Sequence, residues 1–400
     1  MKPKISIKDF DYDLPDEKIA RYPLDYRDRS KLLVYDQCKS IFSTHFYNIS
    51  DHLPDNSLIL FNNTKVIRAR LLFKKHTGAR IEIFCLEPVN ETDMQLAMAQ
   101  EHETSWLCIV GNLKKWKYGR LESQIVYKGS TLNVYAERIK SFGDAHHIRF
   151  SWSEKNLTFG EIIELIGNTP IPPYLNRNSE PIDINRYQTV YSKYQGSVAA
   201  PTAGLHFTDE IIDSFKNKNI ETAFLTLHVG AGTFKPIKSE TIDEHEMHVE
   251  HFAIEKKTIE KILNHTGPII AVGTTTTRTL ESLYWLGIKI QNGDYNFNLK
   301  QWESYEVDSK LSFKEALDYI YNYLVKNDSA YFTASTGIMI VPGYKFRAIN
   351  GLITNFHQPR STLLLLLAAF VGANWKKIYD YALNNNYRFL SYGDSSLLFK

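Results

Sequence analysis

Cysteine is scarce: Cys38, Cys85 and Cys108 are three thiols in 400 residues, odd in number, far apart and without a C-x-x-C pair. That excludes a disulfide framework and a thiolate metal cluster, and it suits a reducing, cytoplasmic setting. Charge of one sign is lacking too, since 47 basic against 45 acidic residues leave a net charge of +2. No global field advertises a polyanion, so any nucleic-acid surface has to be a local patch. Long apolar runs are also missing. The longest, Leu363 to Ala369 extended by Phe370 and Val371, falls far short of the roughly 20 residues that span a bilayer. The N-terminus passes from Met1-Lys2-Pro3-Lys4 into Asp9-Phe10-Asp11-Tyr12-Asp13 without an apolar segment, so it does not read as a signal peptide. No internal repeat or low-complexity linker interrupts the chain.

What is present is an ordinary globular composition, 43% hydrophobic and 23% charged, enough for a sizeable core and two or three folding units. A short helix over Pro15 to Ala20 and extended segments at Leu32–Tyr35 and Ser57–Phe61 open the chain in α/β style. From Val66 to Trp152 the texture changes to short β-rich pieces, among them Ala79–Phe84, Trp106–Val110 and Thr131–Tyr135. Turn signals at Thr77-Gly78, Gly111-Asn112, Lys128-Gly129 and Gly143-Asp144 separate them. After Phe159 helices again alternate with apolar strands, Pro268–Val272 being a buried parallel type. The expectation is a discontinuous α/β main domain, 1–65 and 153–400, carrying an inserted small β-barrel at 66–152. An amphipathic helix from Ser312 to Val325 lies in a charged and aromatic stretch, and the final apolar run is a buried helix capped by Ser361 or Thr362.

Several segments concentrate chemistry. In Ala200-Pro201-Thr202-Ala203-Gly204-Leu205-His206-Phe207-Thr208 the small residues allow close backbone approach, and Thr208 can cap a helix burying Ile211, Ile212 and Phe215. A structural loop with a packed histidine is the plainer reading. Leu227-His228-Val229-Gly230-Ala231-Gly232-Thr233-Phe234-Lys235-Pro236 is no dinucleotide fingerprint, because Pro236 stands where the helix would have to begin; a tight corner fits better. Glu244-His245-Glu246-Met247-His248-Val249-Glu250-His251 contains no H-E-x-x-H and suits acid–base work better than metal binding. Strand, glycine, threonines and helix meet in Ile269 to Glu281. Free N–H groups at Gly273, Thr274 and Thr275 and the guanidinium of Arg278 suit a carboxylate or phosphate there, unless Arg278 simply pairs with Glu281 on the helix surface. Thr354-Asn355-Phe356-His357-Gln358-Pro359-Arg360 places polar groups at another helix entrance, and Tyr387 to Asp394 reads as a terminal strand and turn. Finally, Lys114-Lys115-Trp116-Lys117-Tyr118-Gly119-Arg120 interleaves cations with aromatics, as a single-stranded RNA loop requires, with Lys65, Arg68, Arg70, Lys74, Lys75 and Arg80 as a second basic group.

In their order, and over nearly the whole chain, these segments resemble the S-adenosylmethionine:tRNA ribosyltransferase-isomerase family of queuosine biosynthesis. Further matching stretches are Asp9 to Pro15, Arg27 to Ser30, Phe61 to Ile67, Pro172-Pro173-Tyr174, Arg186 to Tyr191, Gly273 to Ser282 and Pro342-Gly343-Tyr344. The resemblance implies an α/β domain with an inserted β-barrel. It also implies transfer and isomerisation of the ribosyl part of S-adenosylmethionine onto 7-aminomethyl-7-deazaguanine at a tRNA wobble position, releasing adenine and methionine. S-adenosylmethionine would be consumed as co-substrate, with no permanently bound cofactor, no metal, no membrane and no obligate protein partner. That chemistry needs a base for a proton beside the sulfonium, help for departing adenine, and exclusion of water. His206, His245, His248, Glu250 and His357 are the acid–base candidates. Gly273, Thr274, Thr275 and Arg278 are candidates for the co-substrate's carboxylate or the tRNA backbone, with Phe207 and Phe356 facing the sulfonium. Lys114, Lys115, Trp116, Lys117 and Arg120 are the RNA candidates.

The chain departs from the family pattern in three places. Residues 286–335 form an insertion where the family has a short link, Asn63 replaces the aspartate of F-N-D-T, and Gln358 replaces the leucine of N-F-H-L-P. Two competing readings follow: a catalytically altered RNA- or nucleotide-binding paralogue whose insertion covers the site, and a metal-dependent hydrolase on His245, His248 and His251.

Overall fold

The computed structural model describes residues 3–75, 77–89, 94–230 and 239–400; Met1-Lys2 and the glycine-rich stretch from Ala231 to Pro236 lie outside the described residues. Apolar strands with no polar face need cover on both sides, and they gather at the centre of one sheet. Its ten strands run in the order Asn298–Leu299, Tyr331–Thr336, Glu250–Glu255, Glu221–Leu227, Leu58–Asn62, Ile269–Val272, Gly351–Asn355, Ser395–Phe399, Lys31–Tyr35 and Ile41–His45. The central four, from Glu221–Leu227 to Gly351–Asn355, are mutually parallel. Leu58–Asn62, Ile269–Val272 and Gly351–Asn355 are buried along their whole length. Helices Gly273–Gln291 and Thr362–Val371 cover one face, while Phe46, Phe207, Ile211 and Phe215 pack beneath the other.

Residues 70–152, joined at one edge by Gly167–Asn168, form a second sheet, antiparallel throughout, in the order Gly167–Asn168, Arg70–Lys74, Arg80–Pro88, Glu103–Gly111, Ala145–Trp152, Ser130–Phe142, Leu121–Tyr127. Glu103–Gly111 alternates buried with part-exposed residues, the period of a strand with one wet face. The core behind it extends beyond Trp152, because helix Phe159–Ile166 lays Phe159, Ile162 and Ile163 against Trp106 and Phe150. The expected helix over Pro15–Ala20 is a single 3-10 turn, Asp16–Lys18. The chain there is captured by the C-terminal segment instead, with Phe389 N–H donating to Lys18 O and Ala20 N–H to Phe389 O.

The 286–335 insertion is built into the main domain. Helix Phe313–Lys326 starts with Ser312 and Glu315 in a reciprocal capping box. It packs on helix Gly273–Gln291 so closely that a Cβ on Gly287 would stand 2.0 Å from the Ala316 carbonyl oxygen. Gly287→Ala therefore gains helix propensity but forces the helices apart. The expected net loss is about 1 to 3 kcal/mol, read as a lowered urea midpoint with unchanged m value.

Candidate active site

Two neighbouring parallel strands end side by side and open a cleft at their carboxyl ends, the usual ligand position in an α/β sheet. At the first, Gly273 takes φ +87, a conformation glycine tolerates, and turns the chain directly from strand Ile269–Val272 into its helix. The threonines then divide. Thr276 Oγ1 donates to Val272 O (2.6 Å) and Thr277 Oγ1 to Gly273 O (3.1 Å), whereas Gly273, Thr274 and Thr275 line the cleft beside the helix start. At the second strand Asn355, Phe356, His357, Gln358 and Pro359 form the facing wall, and Ser361 caps the next helix by accepting from Leu364 N–H (3.2 Å). Pro201 to Ala203 and the group Tyr174, Tyr187, Leu390 and Ser391 complete a space of about 1110 Å³, open solvent included.

Burial sets the protonation of this wall. His357 is buried, its pKa lowered to about 3 by desolvation, and its Nε2 meets Thr354 Oγ1 at 3.0 Å. His206 is lowered to about 4, first by desolvation, and both of its ring nitrogens are engaged: Nδ1 with Ser30 Oγ (2.8 Å) and Nε2 with Asn355 Nδ2 (3.2 Å). Asn355 Nδ2 also donates to Leu390 O (3.1 Å), leaving Asn355 Oδ1 buried without a partner among the described residues. Tyr174, hydrogen-bonded to Ser391 Oγ at 2.5 Å, is pushed up to about 12 by burial. The acidic N-terminal motif clamps the loop from outside. Asp11 pairs with Arg360, Arg360 N–H donates to Phe10 O (2.9 Å), and Tyr12 OH donates to His357 O.

A side pocket of about 630 Å³ shares Thr362 and Leu363 with the cleft and is lined by His245, Met247, His248, Glu250, Arg278, Ile338, Met339, Ile340 and Leu366. Glu250 and Arg278 are buried and paired there, and His245 is held below its ordinary pKa, chiefly by desolvation.

The structure thus separates residues that the sequence grouped. Gly273, Thr274, Thr275, Phe356 and His357 share the cleft; His245, His248, Glu250 and Arg278 share the side pocket; His206 lines a smaller neighbouring pocket with Arg27, Ser30 and Tyr392. Phe207 requires correction, because it is fully buried among Phe46, Phe61 and Phe215 and cannot face a ligand. Trp116 is likewise corrected. It is 1% exposed with its indole N–H donating to Gly119 O, whereas Lys114, Lys115, Lys117 and Arg120 are exposed and Tyr118 is 85% exposed. Arg278 pairs with Glu250 and not Glu281. His251 lines a different groove from His245 and His248, so the three imidazoles do not converge. Asn63 accepts from Thr226 Oγ1 (2.7 Å) outside the cleft. Tyr12, Tyr174 and Ser391 were missed as site residues; only their place in family-like motifs pointed to them.

The two buried imidazoles tie stability to pH. Below pH 6.5 the unfolded chain gains protons that folded His206 refuses until about 4 and folded His357 until about 3. Stability is therefore full above pH 6.5 and falls as pH drops, by up to about 1.4 kcal/mol per pH unit per histidine. Urea unfolding from pH 7 to 4 should show this slope, reduced by one proton in His206→Asn.

The family model of queuosine biosynthesis proteins matches residues 7–398. An S-adenosylmethionine:tRNA ribosyltransferase-isomerase of Chlorobaculum parvum is 39% identical over 399 residues, covering 98% of this chain and 99% of that protein. One from Trichlorobacter lovleyi is 37% identical over 401 residues, with 98% and 99% covered. The crystal structure of an S-adenosylmethionine tRNA ribosyltransferase from Thermotoga maritima is 27% identical, with 97% of this chain and 99% of that chain covered and a TM-score of 0.46. With a family match and relatives that run nearly end to end, the chain belongs to the queuosine biosynthesis family of S-adenosylmethionine:tRNA ribosyltransferase-isomerases.

Proposed function

We propose that the chain transfers and isomerises the ribosyl moiety of S-adenosylmethionine onto 7-aminomethyl-7-deazaguanine at the wobble position of a tRNA, giving epoxyqueuosine-tRNA, adenine and methionine. The observation that carries this reading is the convergence of two family-like motifs, Gly273 to Thr275 and Asn355 to Pro359, on one cleft at the strand ends. It is a soluble cytoplasmic enzyme in this reading, with no permanently bound cofactor and no obligate protein partner. Its catalytic α/β domain comprises 1–65 and 153–400 and its barrel-like insert 66–152. Among the described residues, no helix is long and apolar enough to cross a membrane.

The cleft chemistry suits a cationic substrate. A protonated imidazole would repel a sulfonium; desolvation keeps His357 neutral and only weakly basic, so that it takes a proton only from a carbon made strongly acidic by the adjacent sulfonium. Phe356 offers an aromatic wall, and Thr274 and Thr275 hold the polar end of the helix start against the ribosyl and adenine groups. His206, through Asn355, is a positioning residue. The paralogue reading, with the insertion as a lid, loses its geometric basis because no residue of 286–335 lines the cleft or the side pocket.

Purified protein mixed with labelled S-adenosylmethionine and precursor tRNA should release adenine and methionine while label enters the tRNA. Tight tRNA binding without adenine release would instead favour the binding paralogue. His357→Gln should lower kcat by about 10² to 10⁴ with tRNA affinity unchanged. At the exposed edge of the inserted sheet, combined alanine substitution of Lys114, Lys117 and Arg120 should weaken tRNA binding and reduce the slope of log K against log salt by about 3. Filter binding across a salt series measures it.

A further inference from the structure

The side pocket is chemically unlike the cleft it joins. Its walls are mostly apolar, with Met247, Met339, Ile338, Ile340, Leu363 and Leu366 beside the imidazoles of His245 and His248, and its one ion pair is buried. Arg278 spends Nη1 on Glu250 and Nε on Ile338 O (3.2 Å), while Nη2 is buried without a hydrogen-bond partner among the described residues. The side chain is 7% exposed and Glu250 is 5% exposed. A guanidinium with an unspent donor beside a carboxylate is a dipole with both poles at one place. A phosphate would meet Arg278 favourably but be repelled by Glu250, whereas an α-amino acid carries a carboxylate and an ammonium about as far apart as the two poles. Methionine side chains are soft, adaptable partners for a thioether or sulfonium chain.

We propose that this pocket binds the amino-acid end of S-adenosylmethionine, and hence product methionine, with its α-carboxylate on Arg278 and its α-ammonium on Glu250. The proposal rests on the functional reading above. The methylene chain then runs past Met247, Met339 and Leu363, and the sulfonium sits where Thr362 and Leu363 border both spaces, directing ribose and adenine into the cleft. Glu250 in this role is a binding residue, and the side pocket selects an α-amino acid over a simple anion.

Equilibrium dialysis with labelled L-methionine and the full chain tests this without requiring turnover. Methionine should bind, while 3-(methylthio)propylamine, lacking the carboxylate, and 4-(methylthio)butanoate, lacking the amine, should compete at least about tenfold more weakly. Arg278→Lys keeps the charge but removes the spare donor together with the bond to Ile338 O, and should weaken methionine about tenfold while circular dichroism shows the protein still folded at the assay temperature. No binding of methionine at millimolar concentration, or equal competition by both truncated analogues, overturns the proposal. Adenine release measured in parallel separates the two claims. Turnover without the predicted methionine selectivity sinks the pocket alone, and selective methionine binding without turnover sustains the pocket and counts against the functional reading.

Discussion

A carboxylate buried in the middle of a long helix holds the two walls of the cleft in register. Glu281 is fully buried, and desolvation raises its pKa. Left alone, such a group would be strongly destabilising. It accepts instead from Arg347 N–H, from Ala348 N–H and from Tyr344 OH, which in turn accepts from Trp285 Nε1. The segment from Tyr344 to Ala348 leads into strand Gly351–Asn355, and the helix bearing Glu281 springs from the adjacent strand Ile269–Val272. Strand, helix, loop and strand thus close a loop of contacts. Gly351 tightens it, since a Cβ there would lie 2.6 Å from Ile270 Cδ1. Neither wall can slide without exposing Glu281 to an environment in which its ion is unsatisfied.

From that rigid pair the site differentiates by burial. The cleft wall carries His357 and, behind Asn355, His206 in the neighbouring pocket, both kept neutral by desolvation, and the side pocket carries a salt bridge compensated internally. Both arrangements avoid an unpaired positive charge where the proposed reaction would seat a sulfonium, yet leave directional groups to orient one. The N-terminal acids act from outside: Asp11 neutralises Arg360, whose φ of +54 is costly for a non-glycine residue and is held by that contact and by Phe10 O.

Much of this was legible in the sequence because local pattern and burial coincide. Val272-Gly273-Thr274 announces a strand-to-helix switch, Ser312 to Val325 an amphipathic helix, and Ser361 or Thr362 a cap; the structure has all three, with Ser361 as the cap. Phe207 and Trp116 were misread for a common reason. An aromatic beside a functional-looking histidine or lysine has the same composition whether it points outward or inward; Phe207 and Trp116 each follow a 3-10 turn in a loop, where direction is set by tertiary packing and not by a periodic local pattern. The Glu250–Arg278 pair was invisible because 28 residues separate them and a nearer acid, Glu281, stood one helical turn from Arg278. The role of Asp11 and Tyr12 likewise arises only when the chain's first segment meets a loop some 345 residues later.

The insertion shows why a large departure from family pattern need not mean a change of chemistry. It begins in the last turns of helix Gly273–Gln291 and returns through Tyr331–Thr336, adding Asn298–Leu299 and a packed helix at the far edge of the sheet, where new strands cost no existing ladder bond. Its influence reaches the side pocket from behind, through Tyr305, whose hydroxyl donates to Met339 O (3.1 Å), and above all through Gln301. Gln301 accepts from Met247 N–H (3.0 Å), donates to His245 O (2.7 Å), and through its carbonyl accepts from Met339 N–H (3.1 Å). Those three residues are wall of the side pocket. The insertion therefore stiffens the pocket from behind, and a segment that looks in sequence like a lid works as a buttress.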